Sequence, residues 1–518
     1  MSGDENVAIN SQQQNNDNVV TRLPLPDKVI SSDTVISNGS KSFLPEDIAS
    51  TMSFLQKVGY GLGHVYNDLC AGVWFSYTLL FMQGALQMSG AVAGTLVMLG
   101  QVGDALATPI VGILTDKYYT KRMWHIAGTC LIFLTFPLIY SICPWCTTAP
   151  VWWMPAYFTA VILLFQLGWA IVQITHMAMI PELSETRKDR DDLTAIRYSV
   201  SVCSNVVVYI VTWLILKERA QGESNIGPGD SYRFRNVSLI LSLIGMLVTV
   251  VFHFSLSASG YNHRRKLALE RHRRPSVTKD LLNKSEAKTS ADGAPASDRL
   301  KILLKSPLLY QNAFLYVFSR LFMCTALVYI PLWLDERTMI SESEATSESG
   351  SKSVEHIATI PLISFLSSFI ASMAMKYSNR IFGHRVAYLL GSILCISGCV
   401  WVASAAPPTA SSSHLYSIAV LFGAGSSITM ISSLCITAKM IGKNADQGGF
   451  IYSAVTFADK LITGIVVLII EAIKCDKRSE CLEYYKDVLA YACGAAAVLG
   501  LLTLATLQSS RKSTKRQS

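Results

Sequence analysis

The stretch AVAGTLVMLGQVGDALATPIVGIL, residues 91–114, decides the fold class of this chain. It is long enough to cross a bilayer, because a membrane-spanning helix needs about 20 consecutive apolar residues. One charged residue, Asp104, interrupts it. A carboxylate near the centre of a membrane helix costs about 2.5–3.5 kcal/mol, so it faces protein or water rather than lipid. The stretch therefore predicts a membrane-spanning helix that lines a polar interior.

Eleven similar apolar runs lie on either side of this stretch. Charged residues make up 15% of the chain, against about 25% in an average soluble protein, and they cluster between the runs. We therefore expect an all-α membrane protein. The twelve predicted transmembrane helices are residues 59–83, 91–114, 124–142, 152–180, 195–216, 237–256, 308–334, 354–375, 386–405, 415–441, 450–473 and 488–507.

The basic residues between the runs indicate how the helices are oriented. With twelve helices they all fall on one side of the membrane, which the positive-inside rule assigns to the cytosol, whereas an odd count would break this agreement. Both termini are then cytosolic. The basic residues of the short connections on that side are Lys117, Lys121, Arg122, Arg187, Lys188, Arg190, Lys376, Arg380, Arg385, Lys439 and Lys443.

A long polar segment divides the runs into six and six, which predicts two six-helix bundles. We expect a disordered, polar cytosolic N-terminus at 1–53 and an N-terminal bundle at 54–258. A basic cytosolic linker at 259–306 leads to a C-terminal bundle at 307–508, and 509–518 form a basic tail.

Several classes of function are disfavoured by the sequence. The net charge of +8 comes from residues beside apolar runs and in the linker, so we expect no nucleic-acid partner. We find no catalytic constellation, so we do not expect an enzyme. No cysteines are spaced with histidines as zinc ligands, so we expect no metal and no other cofactor. In the loops, Cys143 with Cys146, and Cys475 with Cys481, could form disulfides or remain free thiols.

Polar residues recur on single faces of several predicted helices. His64, Asn67 and Asp68 share a face of the first helix, and Asp104 and Thr108 share a face of the second. These positions predict a polar cavity between the bundles, in which a carboxylate could bind a cation or exchange a proton. The alternative is a set of structural ion pairs that lock helices together. Further polar residues within the runs are Gln173, Arg197 and Lys460.

Two more charged residues lie inside apolar runs but are not assigned to the site. Arg320 could hold a loop carbonyl, and Asp459 could lie beside a neighbouring helix rather than face the cavity.

The order and spacing of residues in the second helix carry a family resemblance. Together with Pro181-Glu182-Leu183 and Arg197, they resemble the major facilitator superfamily and, more narrowly, its glycoside–pentoside–hexuronide:cation symporter branch. The resemblance extends over residues 55–508 and implies a secondary carrier that works by alternating access. The residues of the second helix that carry it are Gly103-Asp104-Ala105, Pro109, Gly112 and Asp116-Lys117.

The resemblance implies roles for individual residues. The branch's substrate-binding acid matches Asp68, its cation-site acid Asp104, its helix-five arginine Arg197 and its helix-eleven lysine Lys460. The full candidate set comprises substrate-binding His64, Asn67, Asp68, Gln173, Arg197 and Lys460, coupling residues Asp104 and Thr108, and a gating loop with Gly112, Asp116 and Lys117.

Two departures from the branch affect the expected chemistry. Thr108 stands where sodium-coupled members carry a second acid, and Gln173 stands where sugar carriers carry one. Both changes argue against a two-carboxylate sodium site and against sugar recognition. A proton-coupled or uncoupled carrier fits the sequence better.

Residues 61–71 and 101–109 further resemble animal members of this branch found in lysosomes and melanosomes. This resemblance implies a carrier of cysteine in the membrane of the lysosome or a related organelle, with a role in pigmentation. We expect a monomer in the lipid bilayer whose partner is a small-molecule solute. The alternatives are location in the plasma membrane, a lipid, lysolipid or sugar transporter of the same superfamily, and a non-transporting scaffold.

Overall fold

A computed structural model of the chain describes residues 52–146, 148–183, 187–217, 226–258, 307–344, 350–381, 383–405, 412–441, 448–475 and 483–516. At Asp116 and at some helix ends the description covers the backbone alone. The predicted disorder of the N-terminus and the predicted linker at 259–306 fall on residues outside this description.

Twelve long helices make up almost all of the described chain, as the apolar runs predict. The first, α1, consists of Phe54–Gly61, a 3-10 turn at Leu62–His64, Val65–Leu80 and a π-turn at Phe81–Ala85. The last, α12, consists of Tyr484–Asp487, a π-turn at Val488–Ala492 and Cys493–Arg516. The others are α2 (Gly90–Lys117), α3 (Lys121–Ile139), α4 (Trp153–Ala178), α5 (Arg187–Lys217), α6 (Ser231–Ala258), α7 (Pro307–Glu344), α8 (Gly350–Ile381), α9 (His384–Ala405), α10 (Ser412–Ile441) and α11 (Gly448–Ile473).

Ten of these helices are long and apolar enough to cross a membrane. The remaining two are α1, which the 3-10 turn divides, and α11, which carries Asp459, Lys460 and Glu471. Several helices extend beyond the predicted spans: α5 begins at Arg187 instead of residue 195, and α7 continues to Glu344 instead of residue 334. Hydropathy detects the part of a helix that lies in hydrocarbon, whereas backbone hydrogen bonding continues into polar sequence.

The contacts between helices repeat after a shift of six. In the first half α3 packs on α4, α2 on α4 and α1 on α6, and the same pairs recur as α9 on α10, α8 on α10 and α7 on α12. Between the halves, α1 packs on α7, α2 on α11 and α5 on α8. A shift of six converts the pair α2 and α11 into α8 and α5. This pattern is that of a duplicated six-helix unit, so the prediction of two six-helix bundles is confirmed.

Glycines allow the closest helix contacts. A Cβ atom at Gly423 in α10 would overlap the carbonyl oxygen of Ser364 in α8. A Cβ atom at Gly245 in α6 would overlap the ring of Tyr66 in α1. Helices in lipid associate through such van der Waals contact, since no hydrophobic effect drives them together.

The two ends of the bundle are held by different contacts. We call the end where α1 begins, with Lys57, the basal end, and the opposite end, with Gln83, the distal end. At the basal end Lys57 Nζ lies 2.6 Å from Asp189 Oδ1 and 2.6 Å from Asp192 Oδ2, which ties α1 to α5. The hydrogen bonds to these two carboxylates raise the pKa of Lys57 above its usual value.

The loop after α3, at the distal end, contains a disulfide bond between Cys143 and Cys146. Of the two alternatives open from the sequence, this pair therefore takes the disulfide. Cys475 is also disulfide-bonded, while Cys481 lies outside the described residues.

Candidate functional site

A cavity of about 450 Å³ lies at the junction of the two halves. Its walls come from α1, α2, α4 and α5 of the first half and from α7, α8, α10 and α11 of the second. Aromatic and sulfur-containing side chains form much of the surface, among them Phe75, Trp169, Met323, Phe365 and Met430. The charged and carboxamide side chains that line it are His64, Asp68, Gln101, Asp104, Gln173, Arg197, Asn205, Arg320, Asp459 and Lys460.

Asp104 and Lys460 form an ion pair between the halves. Lys460 Nζ of α11 lies 2.5 Å from Asp104 Oδ2 of α2. Lys460 also donates a long hydrogen bond of 3.5 Å to the hydroxyl of Thr108. The same hydroxyl donates to the main-chain oxygen of Asp104 at 2.8 Å. Thr108 therefore contacts both members of the pair, but it is not among the residues that line the cavity.

His64 joins an acid and a base within the first half. Its Nδ1 lies 2.9 Å from Asp68 Oδ1, and its Nε2 lies 2.9 Å from Arg197 Nη2. The close contact of His64 Nδ1 with Asp68 is not aligned as a hydrogen bond, and Asp68 Oδ2 and Arg197 Nε are buried without a hydrogen-bond partner among the described residues. Both residues thus retain polar atoms with unused hydrogen-bonding capacity.

Arg320 and Asp459 form a third charged pair, within the second half. Arg320 Nε of α7 lies 3.5 Å from Asp459 Oδ2 of α11. Both side chains line the cavity. The sequence marks both as charges inside apolar runs, but their position at the cavity depends on how α7 and α11 are rotated.

The other candidate residues lie further from the solute space. Asn67 is fully buried and does not line the cavity, and its Nδ2 lies 3.4 Å from His64 Nε2. Gln173 lines the cavity and accepts a hydrogen bond of 3.1 Å from the indole of Trp169. At the basal end of α2, Gly112 has no neighbour within 4 Å of a Cβ position, and Lys117 lies over the ring of Tyr118.

Side chains from both halves form a hydrogen-bond network at the distal end of the bundle. Gln83 of α1 donates a hydrogen bond of 2.6 Å to Glu471 of α11, and the hydroxyl of Tyr485 in α12 donates to Gln83 Oε1 at 2.7 Å. Lys474 donates to the Tyr485 hydroxyl at 2.7 Å. Nearer the cavity, the Tyr77 hydroxyl donates to the carbonyl of Ile357 at 3.4 Å.

Sequence reasoning missed this distal network. The available signal was Glu471, an acid in the last turn of an apolar helix. It is 1% exposed. By contrast, Tyr198, which lines the cavity toward the basal end, is 45% exposed.

The arrangement suits a solute that carries both charges. The cavity offers guanidinium and ammonium groups as well as carboxylates, so it can pair with an anionic and a cationic group at once. Among the described residues, no three His, Cys, Asp or Glu side chains are placed to hold a metal ion.

A family model and several known proteins match the sequence of this chain. The sequence model of the Major Facilitator Superfamily matches residues 62–466. Major facilitator superfamily domain-containing protein 12 of Mus musculus is 34% identical over 478 residues, which cover 88% of this chain and 94% of that protein. The sphingosine-1-phosphate transporter MFSD2B of Mus musculus is 24% identical over 172 residues, 32% of this chain and 33% of that protein.

Solved structures share the fold at low sequence identity. The crystal structure of nucleoside transporter NupG matches with a TM-score of 0.59 and 14% identity, covering 88% of this chain and 99% of that chain. At this level of sequence identity, the match shows a shared fold and nothing about function. The duplicated six-helix units, the central cavity and these matches together show that the chain belongs to the major facilitator superfamily.

Proposed function

We propose that this protein is a secondary carrier that moves a small zwitterionic solute, with cysteine as the first candidate, across the membrane of the lysosome or a related organelle. The observation that carries this proposal is the cavity at the junction of the halves, which presents acidic and basic side chains together. Cysteine and the organelle come from the resemblance to lysosomal and melanosomal members of the branch.

The unused polar atoms suggest how the solute binds. Its carboxylate pairs with Arg197, and its ammonium group pairs with the free Oδ2 of Asp68. Apolar surface from Phe75 and Trp169 is available for the rest of the solute. A volume of about 450 Å³ lies within the range of small-molecule sites.

Transport then follows from rocking of the two halves about this site. The distal network closes one end of the cavity, and rearrangement at α2–α11 and α5–α8 would open it. We assign the basal end, with its basic connections, to the cytosol and the distal end to the organelle lumen. The structure would thus be the cytosol-facing state of the carrier.

The test is uptake of labelled cysteine by proteoliposomes that contain the purified protein. Arg197→Gln should lower uptake at least tenfold, because it removes the cation that pairs with the carboxylate. Arg235→Gln is the matched control, since Arg235 is exposed on α6 and does not line the cavity. Cysteamine, which lacks the carboxylate, should compete poorly. Wild-type uptake no greater than that of empty liposomes would refute the proposal.

A lysolipid is the second candidate solute. It is favoured by the apolar wall that Phe365, Phe369 and Met430 form beside the charged pairs. The same liposomes distinguish the two solutes. A lysolipid carrier would take up a labelled zwitterionic lysolipid, and excess unlabelled cysteine would not inhibit that uptake. Uptake of either solute by the purified protein alone would exclude a role limited to scaffolding.

A further inference from the structure

The hydrogen bonds around His64 determine where its ring carries its proton. A guanidinium group has donors and no acceptor, so Arg197 Nη2, 2.9 Å away, must donate to His64 Nε2. The amide nitrogen of Asn67, another donor, lies 3.4 Å from the same atom. His64 Nε2 therefore presents its lone pair, and the ring is neutral with its proton on Nδ1, 2.9 Å from Asp68.

A proton and Arg197 consequently exclude each other at His64 Nε2. Protonating this atom would remove the lone pair that accepts from Arg197 and would set an imidazolium against a guanidinium. If Arg197 instead pairs with an anion, Nε2 becomes free to take a proton. Asp68 would then stabilise the imidazolium through Nδ1.

We propose that a solute carboxylate and one proton load together, the carboxylate on Arg197 and the proton on Nε2 of His64. This inference rests on the proposed function. It adds that the coupling ion is a proton and that the proton and the solute cross the membrane in the same direction. The proton comes from water on the side where the solute binds, converts neutral His64 to imidazolium, and returns to water with the solute on the other side. The empty carrier returns with Arg197 on His64 and without the proton.

The neighbours of His64 do not offer an equivalent site. From α4, His176 lies 5.5 Å away between ring centroids, and its Nε2 donates to the carbonyl of Tyr60 at 2.9 Å. From α3, His125 Nε2 donates to the carbonyl of Gly63 at 2.9 Å. On its far side, His125 Nδ1 lies 3.2 Å from Nε2 of His253, in α6.

These three histidines thus hold the main chain of α1 and one another. The charged groups that face His64 are Asp68 from its own helix and Arg197 from α5. Of the four histidines in this cluster, His64 alone lines the cavity.

The test uses the full chain in proteoliposomes and compares two rates for labelled cysteine: accumulation driven by an imposed pH gradient, and exchange without a gradient. One proton per solute lets wild-type protein accumulate solute about tenfold per pH unit on the alkaline side. In His64→Gln the amide oxygen still accepts from Arg197 but takes no proton, so the ratio of driven uptake to exchange should fall to one. His253→Gln, the matched control, should keep the wild-type ratio. An undiminished ratio in His64→Gln overturns the proposal.

A second measurement applies even if His64→Gln fails to fold. Wild-type protein in weakly buffered detergent at neutral to mildly alkaline pH should take up about one proton per cysteine bound, recorded with a pH indicator. Cysteamine should cause no such uptake. Proton release, or no change with cysteine bound, overturns the coupling. Failure of the proposed function looks different, because wild-type protein would then show no cysteine exchange at all.

Discussion

At the scale of single residues, the three charged clusters of the cavity differ in which helices they connect. Arg320 and Asp459 both belong to the second half, and His64 with Arg197 belongs to the first. Asp104 with Lys460 connects α2 to α11 across the halves. In the proposed rocking of the halves, we expect the contact between Asp104 and Lys460 to change, whereas a cluster within one half can move as a unit.

A double-mutant cycle tests whether Asp104 and Lys460 support each other. Asp104→Asn and Lys460→Gln should each lower the thermal stability of the protein in detergent, because each leaves a largely buried charge without its partner. We expect a cost of about 1–3 kcal/mol for each, moderated by water in the cavity. The double variant should recover most of the loss.

The control for this cycle is a more exposed pair. Lys486 lies 3.0 Å from Glu483, whose side chain is 40% exposed, so Lys486→Gln should leave the melting temperature almost unchanged. Strictly additive losses in the double variant would show that Asp104 and Lys460 do not interact in solution.

At the scale of elements, the break in α1 positions His64, the residue that we propose takes up the proton. Three residues per turn in the 3-10 segment Leu62–His64, against 3.6 in the flanking helix, change the direction in which His64 projects. His125 holds this turn through the carbonyl of Gly63. A Cβ atom on Gly63 would lie 2.7 Å from both His176 and Phe252, so the turn fits closely among its neighbours.

Glycine contacts between whole helices give a second prediction. Gly423→Ala should destabilise the protein markedly, since the new methyl group would overlap the backbone of α8 at Ser364, which cannot move aside as a side chain could. Gly494→Ala in α12 is the matched control, because its Cβ would meet Cys399 at an ordinary 3.7 Å. Melting temperatures in detergent compare the two. Equal effects of both substitutions would argue against the close approach of α8 and α10.

At the scale of the whole molecule, α11 connects the central cavity to the distal network. One part of this helix carries Lys460 against Asp104, and its last turn carries Glu471 against Gln83 of the other half. A movement of α11 relative to the first half therefore affects both contacts. This shared helix is a physical route by which solute binding could influence opening of the far end.

Weakening the distal network should shift the carrier toward the state in which the cavity is open at the distal end. Tyr485→Phe removes the hydroxyl that bonds to Gln83 and Lys474. We expect several-fold faster labelling of Cys324, which lines the cavity, by a membrane-impermeant thiol reagent added on the distal side. Tyr491→Phe is the matched control, because Tyr491 is in the same helix and 69% exposed. Labelling of Cys324 that does not change in Tyr485→Phe would contradict closure of that end by the distal network.

Much of the architecture could be predicted from the sequence. A helix in lipid must satisfy its own backbone hydrogen bonds and present about 20 apolar residues. The twelve apolar runs therefore predict twelve membrane-spanning helices. The cost of a charge in lipid likewise marked Asp68, Asp104, Arg197 and Lys460 as residues of the interior. All four lie at the cavity between the halves.

The partners of these charges were decided by the tertiary structure. Helical periodicity places residues on a face of their own helix, but it does not specify the rotation of that helix or its neighbours. For this reason three contacts form only when the twelve helices pack. They are the hydrogen bond from Arg197 to His64, the pairing of Arg320 with Asp459 and the distal contact of Glu471 with Gln83. The sequence by itself determined that charges are buried between two halves, and packing determined which atoms meet.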